Sequence, residues 1–397
     1  MEDRILITGA GILCPIGLGK DEVCRRLVAG RGGIGPVRFL DTVHRNYPCG
    51  EVPFSDGQMK EMLSVPEGKT VPRTALMGAL ALREALEDAG LGRDMLPRVA
   101  FVSGTTVGGM DVTEKHYPEY LAGTGPVGDI PLHDCRSCSE LTASFAGSFG
   151  MITTVSTACS SAANAVILGR NLIRAGLFDV VVAGGSESLT RYHFNGFRSL
   201  MILDERPCRP FDATRAGLNL GEGAAYLVLE RESAARQRGA GARAVLSGCG
   251  NACDAYHQTA SSPDGEGAFR AMKAALEEAG LEPSAISYIN AHGTGTPNND
   301  ASESAAMHRL FGEDLPPVSS TKSFTGHTTS ASGSIESVIC LLAMEKGFLP
   351  VNLGWTTPFE GGVIPVTPGT PGRELRHVLC NAFAFGGNDS SLLYSKL

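Results

Sequence analysis

The sequence predicts an α/β fold made of two similar halves, divided near residue 240 and stacked into a five-layer body. Two observations lead to this prediction: strand-like runs alternate with amphipathic helices, and the pattern of the first half returns in the second. Arg4–Gly11 is echoed by Arg243–Gly250, and Ala81–Leu91 is echoed by Ala271–Leu281. The first echo repeats an apolar strand that ends in glycine, and the second repeats an amphipathic helix that ends at a glycine. We therefore expect residues 1–240 and 241–397 to form equivalent units.

The remaining predicted elements continue this echo along the chain. Because short links join each strand to a helix and then to another strand, the strands should pair in parallel and carry helices on their faces. The segment 111–131 is expected to be a long loop inserted near one face. In chain order, the other predicted elements are strands 99–103 and 152–156, helix 160–175, strands 180–183, 224–230, 286–290 and 318–320, helix 329–346 and strand 390–394.

Composition restricts the class of protein. The 397 residues contain 34 Lys+Arg and 42 Asp+Glu, which gives a formal net charge of −8. This acidic balance argues against a nucleic-acid-binding protein. No apolar run is long enough to span a bilayer, and the first residues do not resemble a signal peptide. The 11 scattered cysteines are expected to be reduced thiols. These features favour a cytoplasmic protein without nucleic-acid or membrane partners.

Several motif matches fail when their spacing is counted. Gly9 and Gly11 follow a strand, but a dinucleotide-binding fingerprint would need a third glycine where Cys14 stands. Cys135 and Cys138 form a single Cys-x-x-Cys pair without the second pair that a structural zinc site requires. The sequence therefore predicts no metal ion and no organic cofactor, although a structural cation stays open.

Cys159 is the first candidate for chemistry. It lies in Ser-Thr-Ala-Cys-Ser-Ser, where a buried strand turns into the N-terminus of a helix. The helix dipole and free N–H groups at such a position are expected to lower the pKa of a thiol and to bind an oxyanion. A small buried cysteine in the core is the alternative interpretation.

Two histidines belong to the second half. His292 opens a Gly/Thr-rich loop after an apolar strand, at the sheet edge where open α/β proteins bind ligands. His327 occupies the place in the echo that Cys159 holds in the first half, so both helix N-termini should meet at one site. A helix N-terminus disfavours imidazolium, so His327 should be neutral. Lys322 and Glu336 flank His327 in sequence and could form a pair at the site or on the surface.

A glycine pair marks the end of the chain's last strand–turn motif. Gly386 and Gly387 follow Phe385, which indicates a backbone that bends sharply or approaches a ligand closely, as a simple hairpin also would. Taken together, one thiol, two histidines and a lysine suit acyl transfer through a thioester, followed by stabilisation of an enolate, better than hydrolysis. The sequence thus indicates carbon–carbon bond formation.

The chain resembles the elongating β-ketoacyl-acyl carrier protein synthases of the thiolase-fold superfamily over essentially its whole length. The resemblance rests on Thr-Ala-Cys-Ser around Cys159, Ala-His-Gly-Thr-Gly-Thr from Ala291, and Thr-Lys-Ser-Phe-Thr-Gly-His ending at His327. It implies a thiolase-like fold of two βαβαβαββ halves in an αβαβα arrangement. It also implies a 3-oxoacyl-acyl-carrier-protein synthase, an acyltransferase that acts by decarboxylative Claisen condensation. Where the family commonly has Gly-Phe-Gly-Gly-Thr, this chain has Ala384-Phe-Gly-Gly-Asn388.

The resemblance also assigns expected roles. Cys159 would accept the acyl group, both histidines would hold the malonyl thioester carbonyl, and Lys322 would organise the site with Glu336. Phe385 would supply an oxyanion-binding N–H and act as a gate. Residues expected at the substrate and its phosphopantetheine arm are Phe197, Thr259, Thr294, Thr296, Gly386 and Gly387.

Partners follow from the same resemblance. Acyl carrier protein would deliver both substrates, and because it is acidic it would need a basic patch, for which Lys69, Arg73, Arg198 and Arg206 are candidates. The chain would form a homodimer, or a heterodimer with a chain-length factor, through strand 152–156. Fatty acid synthesis and an aryl-polyene or polyketide pathway both remain open.

A thiolase, a non-catalytic chain-length factor and a Cys/His hydrolase are further alternatives. Cys159, Lys322 and the paired histidines disfavour the last two. A thiolase would need a second catalytic cysteine in the last glycine-rich turn, but Ala384 stands there and Cys380 lies five residues before Phe385.

Overall fold

A computed structural model describes residues 3–368, 370 and 372–397. Within these residues the strands are β1 (Ile5–Cys14), β2 (Gly17–Leu18), β3 (Ile34–Gly35), β4 (Cys49–Gly50), β5 (Val99–Gly104), β6 (Met151–Val155), β7 (Val180–Glu187), β8 (Gly223–Arg231), β9 (Ala244–Cys253), β10 (Tyr288–Asn290), β11 (Val318–Ser319), β12 (His377–Ala384) and β13 (Asn388–Ser395). The α-helices are α1 (Lys20–Val28), α2 (Asp56–Met62), α3 (Arg73–Ala89), α4 (Met110–Leu121), α5 (Cys135–Ala146), α6 (Ser161–Arg174), α7 (Arg191–Ser199), α8 (Glu232–Arg238), α9 (Glu266–Ala279), α10 (Pro297–Phe311), α11 (Lys322–Thr325) and α12 (Ser332–Lys346).

The two halves have the same strand order. The first half runs β6-β5-β7-β8-β1 and the second runs β11-β10-β12-β13-β9, with three parallel strands followed by two antiparallel ones in each case. Strands β1 and β9 pair where the halves meet. The predicted division near residue 240 falls between α8 and β9, and it stays a prediction.

The five strands of each half are treated as one sheet. Helices cover both sheets and fill the space between them. Helix α3 packs on β1, β7 and β8, while α9 packs on β9 and β13. Helices α6 and α12 contact each other and lie between the two sheets, so the order of layers is α, β, α, β, α. The central layer is buried on all sides: along α12, thirteen residues from Ser332 to Met344 are buried. The predicted five-layer α/β fold is confirmed.

The predicted insertion loop 111–131 is wrong. Most of it forms α4, and a 3-10 turn at Val127–His133 follows. Pro118 concealed the helix in the sequence, because proline lacks the N–H that would bond to the carbonyl four residues earlier. Here the guanidinium of Arg191 donates to that free carbonyl, of Glu114, so the helix continues through the proline. Among the described residues, none of the helices is both long and apolar enough to cross a bilayer.

Arg73 was expected on a basic docking patch, and this expectation is wrong. The residue begins α3 and its side chain is only 8% exposed. Its guanidinium bonds to both carboxylate oxygens of Glu222, at 2.6 and 2.9 Å, and to Asp56 at 2.7 Å. The sequence could not show this, because Glu222 lies 149 residues away along the chain. Arg73 is a buried structural cation.

Replacing Arg73 by methionine is expected to destabilise the fold by about 3–5 kcal/mol, because the buried Glu222 carboxylate would lose its cation. Chemical denaturation measures this change. The matched control is Lys69→Met, since Lys69 is exposed and its loss should alter the free energy of unfolding by less than about 0.5 kcal/mol. Equal stabilities for the two variants would contradict the structural role of Arg73.

Candidate active site

A cavity of about 330 Å³ lies where the ends of the two sheets meet. Its walls bring together residues that the sequence analysis selected separately in both halves of the chain. Of the predicted site residues, those that line this cavity are Cys159, Phe197, Thr259, His292, Thr294, Thr296, His327, Phe385, Gly386 and Gly387. Lys322 and Glu336 lie behind the wall, next to His292.

Cys159 lies at the predicted elbow between β6 and α6. Ala158 has a φ of 50°, a left-handed conformation that non-glycine residues adopt at an energetic cost and that occurs often at functional sites. The elbow aims the Cys159 side chain into the cavity while α6 begins two residues later. The backbone N–H groups of Phe385 and of Cys159 itself lie near enough to the sulfur to lower the pKa of the thiol. Two backbone N–H groups directed at the same point can bind an oxyanion.

The predicted lowering of the Cys159 pKa is wrong in sign. Burial raises the pKa of this thiol to about 12, and the charge of Glu187 adds to the rise. The charge of Lys322 and the two N–H groups act in the opposite direction but do not compensate for burial. Residue-by-residue inspection of a sequence detects a helix N-terminus but not the depth at which it is buried. Burial therefore favours the protonated thiol over the thiolate at neutral pH.

His292 is fixed by a carboxylate that the sequence analysis missed. Glu303, buried on α10, accepts hydrogen bonds from the backbone N–H groups of His292 at 2.9 Å and Gly293 at 2.8 Å. Asn381 donates to the same carboxylate at 3.1 Å. A signal was present: Asp300 and Glu303 are three residues apart, on one face of a helix that follows the histidine loop. Glu303 thus holds the loop that presents the His292 ring.

Lys322 and Glu336 form a buried ion pair at 2.6 Å. Lys322 lies on the short helix α11, rather than in a loop, and its Nζ is 3.3 Å from Nδ1 of His292. Burial raises the pKa of Glu336 to about 7, and the neighbouring Lys322 acts against this rise. The pair therefore places a positive charge against the His292 ring.

His327 and His292 face each other in the cavity. Their ring centroids are 5.2 Å apart, and the rings are nearly perpendicular. His327 is held by its backbone N–H, which donates to Asn219 at 2.7 Å, and by Ser332, whose Oγ lies 3.1 Å from its Nδ1. Burial, followed by the charge of Lys322, lowers the pKa of both rings well below 6.5. Both histidines are neutral, so each can donate one hydrogen bond to an oxygen.

The last glycine-rich motif forms a turn over the sulfur. Phe385, Gly386 and Gly387 connect β12 to β13, and the two glycines have φ values of 82° and 74°. A Cβ on Gly387 would lie 2.0 Å from Oδ1 of Asp254, so only glycine fits there. The ring of Phe385 stacks on Phe197 with centroids 5.8 Å apart. The two rings together close one side of the cavity; we call residues 385–387 the gate turn.

Three threonines line the opposite wall. Thr294 and Thr296 have their hydroxyl oxygens 2.8 Å apart, and Thr296 also caps α10. Thr259 is exposed on a loop at the cavity mouth. Of the proposed basic patch, Lys69, Arg198 and Arg206 are exposed, and Arg198 follows Phe197 directly on α7.

Cys380, considered as a second catalytic cysteine, lies outside the cavity wall. Its side chain is buried in β12, where it contacts the hydroxyl of Ser337 on α12. The position next to the gate turn, where a second thiol would be useful, is occupied by Ala384. The cavity thus combines one thiol, two neutral imidazoles and two converging N–H groups. Such a set can accept an acyl group on sulfur and stabilise an enolate oxygen.

Sequence comparison gives matches over nearly the entire chain. Residues 2–235 match the beta-ketoacyl synthase N-terminal domain, and residues 243–356 match its C-terminal domain. The chain is 34% identical to 3-oxoacyl-acyl-carrier-protein synthase 2 of Synechocystis sp., covering 99% of this chain and 98% of that protein. It is 35% identical to the tetracenomycin polyketide synthase ketoacyl synthase alpha subunit of Streptomyces glaucescens, covering 100% and 97%.

Structural comparison agrees with these matches. The ishigamide ketosynthase/chain length factor superposes on this chain with a TM-score of 0.92 at 32% identity, and each chain is covered completely. The similarity therefore includes both halves, the elbow and the gate turn.

Proposed function

The chain belongs to the beta-ketoacyl synthase family, and from this premise we propose that it condenses a carrier-bound acyl group with malonyl-acyl carrier protein. The observation that carries the proposal is the convergence of Cys159, His292 and His327, from opposite halves, on one cavity. Family membership makes the chain an acyltransferase of the condensing type. The residue roles below are what the geometry supports.

The first step transfers the acyl group to Cys159. The sulfur attacks the thioester carbonyl of the acyl carrier, the carrier thiol leaves with the thiol proton, and an acyl-Cys159 thioester remains. The N–H groups of Cys159 and Phe385 would hold the oxyanion that forms during this attack. Movement of Phe385 and its stacked partner Phe197 would admit the acyl chain.

The second step forms the carbon–carbon bond. Malonyl thioester enters past Thr259, Thr294 and Thr296, and its carbonyl oxygen receives hydrogen bonds from His292 and His327. Loss of carbon dioxide leaves an enolate, which these two donors stabilise. The enolate carbon attacks the acyl-Cys159 carbonyl, and the sulfur leaves as the 3-oxoacyl product forms on the carrier. Lys322, fixed by Glu336, keeps His292 in its neutral, donating form.

Partners and setting are part of the proposal. Acyl carrier protein would dock beside the cavity mouth, where Arg198 and Arg206 are exposed, with Lys69 as a further candidate. Strand β6 pairs only with β5 among the described residues, which leaves an edge for a second subunit. That subunit is a second copy or a chain-length factor, the partner named for the ishigamide protein. The cytoplasmic location expected from the sequence stays part of this proposal.

An assay on the chain alone tests the proposal. We expect acyl-acyl carrier protein to add one acyl mass to the protein, and malonyl-acyl carrier protein then to yield carbon dioxide and 3-oxoacyl product in a metal-free buffer. Activity of the chain alone would support a homodimer, and activity only after adding a chain-length factor would support the heterodimer. Hydrolysis of the acyl donor without condensation would refute the proposal and favour the Cys/His hydrolase alternative.

A further inference from the structure

A compact polar network joins the gate turn to the elbow at Cys159 and to helix α6, which follows the elbow. At its centre, Oδ1 of Asn388 accepts three hydrogen bonds: from Ser160 Oγ at 2.8 Å, Asn164 Nδ2 at 2.7 Å and Asn251 Nδ2 at 3.1 Å. Three donors that converge on one amide oxygen fix the orientation of this side chain.

The network connects the two halves of the molecule at the reacting centre. Ser160 follows Cys159 directly, and Asn164 is one helical turn further along α6. Asn388 is the first residue of β13, directly after the gate turn. Ser160 and Asn388 are 228 residues apart in the sequence. The side chain of Asn164 also donates from Nδ2 to Oγ1 of Thr157 at 2.9 Å. The network therefore contacts residues on both sides of the elbow.

The position of this network matters because the oxyanion-binding N–H groups lie on opposite sides of it. One belongs to Cys159, on the elbow, and the other belongs to Phe385, on the gate turn. The gate turn contains two glycines in left-handed conformations, and glycine has the widest conformational freedom of all residues. On one side the turn is tied to residues 254–258, because the Gly386 N–H donates to Gln258 at 2.8 Å and the Asp254 N–H donates to Gly387 at 3.1 Å. On the other side, the hydrogen bonds that Asn388 accepts from Ser160 and Asn164 tie it to the elbow, three residues after Phe385.

We propose that Asn388 is a positioning residue that sets the separation of the two oxyanion-binding N–H groups. The proposal rests on the proposed role of Cys159 as the acyl acceptor. It adds that the amide oxygen of Asn388 couples the gate turn to the elbow, so the second donor is in place when the thioester carbonyl is attacked. Asn388 itself touches neither the substrate nor the reacting atoms.

The test compares two reactions of the same sulfur. Transfer from acyl-acyl carrier protein passes through an oxyanion, whereas alkylation by iodoacetamide does not. Both reactions use the thiolate, so any change in the pKa of Cys159 cancels in the ratio of their rates. Removing one oxyanion donor costs about 10²–10³-fold in rate. For Asn388→Leu, which displaces a donor without deleting it, we expect the ratio of acylation to alkylation to fall roughly tenfold.

Companion variants separate positioning from packing. Asn388→Asp keeps the acceptor oxygen and should recover most of the lost ratio. Ser160→Ala removes a donor at the other end of the bridge and should lower the ratio in the same direction, which keeps the proposal testable if Asn388→Leu does not fold. Asn171→Ala is the control, because Asn171 is exposed on the same helix α6 and its side chain accepts a hydrogen bond from Arg170, outside the network; its ratio should stay within twofold of the unchanged protein.

The outcomes are distinct. A selective fall in acylation for Asn388→Leu and Ser160→Ala, with recovery in Asn388→Asp, supports the proposal. An equal fall in both reactions, or no change in either, overturns it and leaves Asn388 a packing residue. Failure of the unchanged protein to take up an acyl group while Cys159 is still alkylated would instead refute the proposed function, and this inference with it.

Discussion

Cys159→Ala is expected to abolish both the acyl adduct and the condensation reaction. No other cysteine of the described chain lines the cavity with the two histidines. Without the sulfur there is no group at the elbow that can carry an acyl chain, so the rate should fall to the uncatalysed background. Intact-protein mass spectrometry after incubation with acyl-acyl carrier protein measures the adduct, and product formation from malonyl-acyl carrier protein measures the condensation.

The matched control for this variant is Cys135→Ala. Cys135 is half-buried at the first turn of α5 and does not line the cavity, so its removal should leave acylation and condensation unchanged. An acyl adduct on the Cys159→Ala protein would show that another residue accepts the chain. Loss of the adduct in Cys135→Ala but not in Cys159→Ala would show that Cys135, and not Cys159, is the nucleophile.

The sequence was sufficient to predict the fold and the elbow at Cys159, because both depend on patterns that are local. The echo between halves repeats strand and helix signals at similar spacing, and the structure repeats the same strand order. The elbow at Cys159 follows from strand β6, which ends at Val155, and helix α6, which begins at Ser161 after a run of five small residues. The locations of the two histidines and the gate turn can be predicted from the strands that precede them. The ends of these strands share one edge of the layered body, so His292, His327 and the gate turn come to lie there.

What the sequence could not predict depends on contacts between distant residues and on burial. From the sequence alone, Arg73 is predicted to be a surface cation, because the sequence does not show that Glu222 lies beside it. Likewise, Cys159 is predicted to be an activated thiol, because the sequence does not show the burial that raises its pKa to about 12. The carboxylate of Glu303 holds the His292 loop, but its role becomes visible only when α10 is packed under that loop. Helix α4 was missed because its stabilising donor, Arg191, comes from another element.

Alanine substitution of His292 or of His327 is expected to separate acylation from decarboxylation. Neither ring is needed to bring an acyl carbonyl to the sulfur, so acyl-Cys159 should still form in both variants. In the proposed mechanism each ring donates one of the two hydrogen bonds to the malonyl carbonyl oxygen, and loss of one such donor should lower the release of carbon dioxide by about 10²–10³-fold. Acyl-adduct mass and carbon dioxide release, measured on the same preparation, give the two rates.

His308→Ala is the matched control, because His308 is exposed on α10 and away from the cavity wall. It should leave both rates unchanged. If His292→Ala or His327→Ala released carbon dioxide at the full rate, the hydrogen-bonding role of that ring would be wrong. If either variant lost acylation as strongly as decarboxylation, that histidine would have to act on the thiol instead.

The pH profile of decarboxylation distinguishes neutral from charged histidines. Burial and the charge of Lys322 hold the pKa of both rings well below 6.5, so both rings stay neutral between pH 6.5 and pH 8. Because burial raises the pKa of Glu336 to about 7, the profile is measured on the Glu336→Gln variant, in which the rate of carbon dioxide release should be flat across this interval. A mechanism that needs an imidazolium with an ordinary pKa would instead lose activity as the pH rises through 6.5. The same profile measured for the uncharged variant Lys322→Met should move its acid limb to higher pH, because the nearby cation that lowers the pKa of His292 would be absent.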